Sequence, residues 1–217
     1  MIGKYISYSF FLVLVFFVGC SSEEFELINL DTAKHLVQNY YESGRFDAEC
    51  KTVFNAATAK IDTVSVEKNS AVVFDIDETA LSNYNHTKKI GFGFVLSLWN
   101  SWLLKADAPA IPPTKKYYDL LIKKGFRIIF ITGRYEETKE ATIKNLSNVG
   151  YTKYDTLILR RDDERNIPAA EFKAQKRAEL VKLGYKIVAC VGDQWSDLVG
   201  GNSGIKIKLP NYLYIID

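Results

Sequence analysis

Five short apolar runs, separated by longer stretches of helical period, constrain this chain more than any other feature. The runs are Ala71–Asp75, Arg127–Ile131, Asp155–Leu159, Lys186–Val191 and Ile205–Leu209. They are rich in Val, Ile, Leu and Phe, residues that suit a pleated sheet buried on both faces. Between them lie three helical stretches with glycine stop signals. Lys115–Lys124 ends at Gly125, a stretch over roughly 136–148 ends near Gly150, and Ala170–Leu183 stops at Gly184. Strands alternating with helices of about ten residues or more make parallel βαβ units. The expectation is an α/β protein: an open, parallel, Rossmann-like sheet flanked by helices.

Two segments stand outside that alternation. Residues 28–68 predict an N-terminal helical segment. In it Asp31 caps a helix from Thr32 with Leu36 and Tyr40 on one face, followed by a second helix. That helix carries Phe46, Cys50, Val53, Phe54, Ala57 and Ile61 at spacings of three and four. The second segment, Glu78 to Thr114, is nearly forty residues long and holds Tyr84, Phe92, Phe94, Trp99 and Trp102. It is too long and too aromatic for a plain connection. It predicts a small helical cap, over about 80–114, inserted into a core of residues 69–217. Ligands of open α/β sheets sit at the C-terminal ends of the strands, so the cap should border the site.

The first residues read as an address. Lys4 precedes the apolar run Phe10–Val18, about half of the roughly 20 residues that span a bilayer. The run closes Gly19-Cys20-Ser21-Ser22, similar to the lipobox of bacterial lipoproteins. The expectation is a signal peptide over 1–19, a lipidated Cys20, and a tether over 20–27. The acyl chains would anchor the protein to a membrane of the bacterial cell envelope, periplasmic or surface-exposed. A formal charge of +2 gives no global basic field, and no nucleic-acid polymer is expected as partner. Three cysteines and two histidines exclude a disulfide framework and argue against a histidine-built metal site. Cys190 reads as a buried strand residue, and nothing in the spacing favours a pair with Cys50.

Four polar clusters follow the strands or open a helix. Asp75-Ile76-Asp77-Glu78-Thr79 follows the first. One such carboxylate can act as nucleophile and the other can move protons, and clustered oxygens suit Mg²⁺ rather than zinc. A solvated turn or helix cap accounts for the trio equally well when it is taken alone. Thr132-Gly133-Arg134 follows the second strand. It offers a hydroxyl and an open backbone to an anion, or simply a helix cap. Lys173, early in the last long helix, can neutralise phosphate charge or hold an adjacent carboxylate, though taken alone it reads as any surface lysine; Lys176 three residues on can replace it in that role. Gly192-Asp193-Gln194-Trp195-Ser196-Asp197 follows the fourth strand, with two aspartates four apart. Arg134 reads equally as a further phosphate contact or as helix surface. Trp195 and Tyr84 read as packing residues sooner than as stacking partners for an aromatic substrate.

The set, in this order, resembles the haloacid dehalogenase-like (HAD-like) phosphatase superfamily. Asp75, Asp77 and Thr79 match its Asp-x-Asp-x-Thr motif. Thr132 matches its strand-end Ser or Thr, Lys173 its lysine, and Gly192, Asp193 and Asp197 its final acidic motif. More narrowly, Phe-Asp-Ile-Asp-Glu-Thr, Ile-Thr-Gly-Arg and Gly-Asp-Gln-Trp-Ser-Asp look like the class B (subfamily IIIB) acid phosphatases. That subgroup includes plant acid phosphatases and vegetative storage proteins, and bacterial acid phosphatase lipoproteins are related to it. The resemblance covers about residues 28–217.

The resemblance implies a Mg²⁺-dependent acid phosphatase acting on small phosphate monoesters through an aspartyl-phosphate. Asp75 would be the nucleophile and Asp77 the acid and base. Thr132 and Lys173 would hold the phosphoryl oxygens, with Thr79 and Gly133 beside them. Mg²⁺ would be held by Asp75, the Asp77 backbone carbonyl and Asp193, with Asp197 nearby. Two other readings use the same scaffold: phosphoryl transfer to another alcohol, and a non-catalytic storage or binding protein. Every motif position is filled, Asp75 included, which favours an active enzyme.

Overall fold

A computed structural model describes residues 27–216. The expected signal peptide, the lipidated Cys20 and nearly all of the tether lie outside the described residues. No helix among the described residues is long and apolar enough to cross a membrane.

Five parallel strands form one sheet: β1 (Ser70–Phe74), β2 (Arg127–Tyr135), β3 (Thr156–Arg160), β4 (Lys186–Gly192) and β5 (Ile205–Lys208). Their order is β3-β2-β1-β4-β5. The chain builds outward from β1 through β2 to β3, then returns to the other side of β1 for β4 and β5. The order therefore reverses between β1 and β4. A ligand crevice opens at such a reversal, beyond the C-terminal strand ends. All five residues of β1 are buried, which is why Ala71–Phe74 is apolar throughout instead of alternating with polar residues.

Strand alternation splits the core in two. Val72, Phe74, Ile128 and Phe130 point to one face, where Phe54, Ile61, Tyr118, Leu121 and Leu146 cover them. These belong to α2 (Arg45–Ile61), α5 (Pro112–Lys123) and α6 (Lys139–Asn148). Ala71, Val73, Ile129 and Ile131 point to the other face, covered by Phe172 and Leu180 of α7 (Ala169–Lys182). Fully burying one such aliphatic or aromatic side chain is worth about 1.5–3 kcal/mol. Gly125, Gly150 and Gly184 end α5, α6 and α7 at φ of +87°, +88° and +94°, a region that costs a β-carbon-bearing residue steric strain.

The structure shifts several expected boundaries. The helix expected from Lys115 begins at Pro112, because two prolines pre-set its first turn. The second strand runs on to Tyr135. The first helix, α1 (Leu30–Glu42), is capped by Asn29 and not by Asp31, whose own N–H donates to Asn29 Oδ1 at 2.9 Å. Leu36 is exposed, and α1 packs through Tyr40 and Tyr41. Cys50 lies in the first core and Cys190 in the second, both as free thiols. Burial pushes each of them up to about 12.

Beyond β1, residues 80–111 hold two short helices, α3 (Tyr84–Lys89) and α4 (Leu96–Lys105). Leu81 bridges Asp77 and Ala110, and so pins both ends of this insertion to the first acidic loop. The Trp102 indole N–H donates to Asn83 at 2.7 Å. Tyr84 stacks on Tyr41 at 4.7 Å and donates to Glu42 at 2.7 Å, which ties α3 to the N-terminal helices.

Candidate active site

The crevice is built where β1 and β4 end side by side. Phe74 pairs with Val191, and the Asp75 N–H donates to the Val191 carbonyl at 3.0 Å. That register brings the loop after β1 against the loop after β4. Thr79 joins them twice: its hydroxyl donates to Asp193 Oδ1 at 2.9 Å and accepts from the Asp193 N–H at 3.0 Å. Gly192 makes room for the turn. A β-carbon there would stand 2.2 Å from Asp197 Oδ2, so no other residue fits without displacing Asp197. A short 3-10 turn at Trp195–Asp197 folds Asp197 back, and its carboxylate accepts from the Gln194 N–H at 2.9 Å. Arg177, fully buried, holds the far side of this loop by donating to the carbonyls of Asp197 at 2.9 Å and Gly201 at 3.1 Å.

Asp75, Asp193 and Asp197 converge. Each offers one carboxylate oxygen within 4.8 Å of the others, and all three are buried. The only cation that reaches them among the described residues is Lys173. It donates to Asp75 Oδ1 at 2.6 Å and to Asp197 Oδ1. Three carboxylates facing one ammonium leave excess negative charge in a poorly solvated place. Burial pushes Asp75 well above the usual carboxylate range, Lys173 opposes this, and Asp197 and Asp193 add to it. Burial and Asp197 likewise raise Asp193, against hydrogen bonds from Asn211, Gln194 and Thr79. Burial works to lower Lys173, but Asp197 and Asp75 carry it above its ordinary value. A divalent cation with a preference for hard oxygen ligands relieves this arrangement directly, and the donor set fits Mg²⁺.

Asp77 is oriented differently. Its carboxylate faces Arg134, with Nη2 at 2.6 Å from Oδ1 and Nε at 3.0 Å from Oδ2, and accepts from Asn83 Nδ2 at 2.8 Å. Arg134 is therefore not helix surface. β2 continues past Thr132, turns Arg134 inward, and leaves its side chain 2% exposed. Its Nη1 donates to Thr142 at 3.1 Å. Thr132 is buried and accepts from the Arg134 N–H at 3.2 Å, while Gly133 is exposed. Both follow Ile131 on β2, and Thr132 is linked to Asp77 through Arg134, with no hydrogen bond to the three-carboxylate cluster.

Lys176 cannot replace Lys173. It pairs with Glu164 at 2.7 Å and Glu179 at 3.3 Å. Tyr84 is buried in packing, as expected, whereas Trp195 is exposed beside a cavity of about 390 Å³ that Asp193 also lines. Sequence reasoning missed Asn83, Gln194, Asn211 and Tyr214. It also missed Glu78's part. Glu78 sits at φ +54° and accepts from the Asn83 N–H at 2.6 Å and the Tyr214 hydroxyl at 2.7 Å. Burial, Asp77 and Asp193 push it up to about 8.

The comparisons with known proteins agree with this geometry. The family described as HAD superfamily, subfamily IIIB (Acid phosphatase) matches residues 17–217. The Stem 28 kDa glycoprotein of Glycine max is 38% identical over 185 residues, covering 82% of this chain and 73% of that protein. Vegetative storage protein 1 of Arabidopsis thaliana is 34% identical, covering 89% and 76%. Among solved structures, the tungstate-bound Class C acid phosphatase from Bacillus anthracis is similar. It has a TM-score of 0.71 at 28% identity, over 86% of each chain. Fold, crevice and sequence thus lead to one place: the chain belongs to the subfamily IIIB acid phosphatases of the HAD superfamily.

Proposed function

We propose that this phosphomonoesterase works through an aspartyl-phosphate on Asp75, with Mg²⁺ as its resident ion. The observation that carries the reading is the convergence of Asp75, Asp193, Asp197 and Lys173 in one buried crevice. An Asp75 oxygen attacks the phosphorus of a monoester, and the ester oxygen leaves with a proton from Asp77. Water then attacks the aspartyl-phosphate and gives a proton back to Asp77, which frees Asp75 and inorganic phosphate. Lys173 holds phosphoryl oxygens together with Thr132 and the backbone at Gly133. Asp75, Asp193 and the Asp77 carbonyl would hold Mg²⁺, with Asp197 in support. When bound, the ion offsets the repulsion between a carboxylate and a phosphate dianion. Asp77 Oδ1 is engaged by Arg134 and Asn83, whereas Oδ2 accepts only the Arg134 Nε–H, which leaves Oδ2 a lone pair for the transferred proton.

Replacing Asp75 by Asn tests this. Hydrolysis of an aryl phosphate should fall by at least about 10³-fold with the circular dichroism spectrum unchanged. Wild-type turnover in that variant would end the covalent mechanism. The name of the Arabidopsis relative favours a storage role as second reading. Undetectable, Mg²⁺-insensitive turnover by the wild-type chain over a panel of phosphate esters would select it.

Anchoring in a bacterial envelope rests on the Phe10–Val18 run and Cys20. A chain expressed in a bacterial host should yield an N-terminal peptide that begins at Cys20 with an acyl mass attached. An unmodified Cys20 within an uncleaved chain would overturn the anchor.

A further inference from the structure

We propose that segment 209–216 is a positioning strap for the metal crevice, acting through Asn211 and Tyr214. The proposal rests on the metal reading given above. After β5 the chain crosses the open end of the β1 and β4 loops. The Leu209 N–H donates to the Gly192 carbonyl at 2.9 Å, which starts the crossing directly behind Asp193. Asn211 then donates from Nδ2 to Asp193 Oδ2 at 2.6 Å. Its own Oδ1 accepts from the Leu213 N–H at 2.7 Å, so the amide orientation is fixed. Asp193 is thereby held from two sides. Thr79 takes one oxygen, and Asn211 and Gln194 Nε2, each at 2.6 Å, take the other. Gln194 is itself gripped by the strap, since its Oε1 accepts from the Ile216 N–H at 3.1 Å and its Nε2 reaches the Tyr214 carbonyl at 3.3 Å.

The second grip is on the other acidic loop. Tyr214 donates to Glu78 Oε2 at 2.7 Å. Glu78 follows Asp77 and adopts a left-handed φ of +54°, which a residue with a β-carbon takes only where its surroundings hold it. Its oxygens accept from Asn83 on one side and Tyr214 on the other. The strap therefore sets the side chain of one expected metal ligand, Asp193, and the backbone next to another, Asp77. Tyr212 anchors it from outside, edge-on to Tyr40 at 4.7 Å. Neither Asn211 nor Tyr214 touches the reacting atoms; both act through residues that do. Partners of this kind, hydrogen-bonded to a ligating carboxylate, typically change metal affinity by 10–100-fold when removed.

The test titrates the purified full chain with Mg²⁺ alone by calorimetry, alongside Asn211→Ala and Tyr214→Phe. Asn211→Ala should weaken Mg²⁺ binding about 10–100-fold. Tyr214→Phe removes one hydroxyl, keeps the ring, and should weaken it by about threefold or more. The Mg²⁺ concentration for half-maximal hydrolysis should rise by matching factors. If Asn211→Ala does not fold, Tyr214→Phe decides the question. Variants that melt at lower temperature yet bind Mg²⁺ like the wild type would overturn the strap and leave the metal reading intact. A wild-type chain that binds no Mg²⁺ would overturn both.

Discussion

Two lysines on one helix, three residues apart, are buried to the same extent and do opposite things. Lys173 and Lys176 are each 6% exposed on α7. Lys176 closes a matched pocket. Glu164 lies 2.7 Å away, and Arg161 completes the neutralisation of that carboxylate. Lys173 sits in a pocket that it leaves unmatched, one ammonium against three carboxylates. A buried pair with balanced charge is complete in itself, and its removal registers as lost stability. A buried cluster with charge left over stays receptive to something from outside, and its removal registers as lost chemistry.

The largest expected effect separates the two lysines directly. Lys173→Met should cut kcat/KM for an aryl phosphate by about 10²–10³-fold, the loss typical of removing one donor to a developing anion. Lys176→Met should keep kcat/KM per folded molecule within about threefold and instead destabilise the protein by about 1–3 kcal/mol, leaving buried Glu164 with Arg161 as its remaining partner. Similar activity losses in both would erase the contrast.

Next in size is the response to the ion. At about 100 times its dissociation constant, Mg²⁺ should add about 2.7 kcal/mol of stability, seen as a rise in Tm of roughly 5–10 °C. Asp193→Asn should abolish that rise, whereas Lys176→Met should retain it. A rise of equal size in Asp193→Asn would place the ion elsewhere.

The smallest effect is a pH dependence. Burial works to raise Glu164, but the Lys176 hydrogen bond and the Arg161 N–H together hold it below the usual carboxylate range. A carboxyl group lowered on folding contributes stability above its unfolded pKa of about 4.3 and loses it as pH falls through the folded value. Thermal melts from pH 6 down to 3 should therefore show a drop in Tm that Glu164→Gln flattens by a few degrees. Parallel curves would show that the pair is not coupled to acid unfolding.

Most of the sheet and the acidic half of the crevice were legible in the sequence, for local reasons. A parallel strand buried on both faces is a continuous apolar run, as in Ala71–Phe74. The polar residues that end such runs, Asp75 and Asp193, fall at the strand termini where the reversal opens. The choice between Lys173 and Lys176 was not legible. Both follow helical spacing, and the deciding partners, Asp75 and Glu164, come from different parts of the chain. The helix-surface reading of Arg134 fails because the strand that carries it continues four residues beyond Ile131, and a strand extension of that length leaves no mark in polar sequence. Asn211 and Tyr214 had no local signal at all. Their partners lie 18 and 136 residues away, and an Asn after a Pro looks like any turn.

Those separations have a consequence for how the enzyme comes into being. Thr79 meets Asp193 across 114 positions, Lys173 meets Asp75 across 98, and Tyr212 reaches Tyr41 across 171. Bringing such distant stretches together is slow relative to forming local helices. A ribosome must have released the chain at least through Asp197 before the three carboxylates can meet. A nascent copy that stops short of Asp193 is therefore silent, however well its early helices have formed.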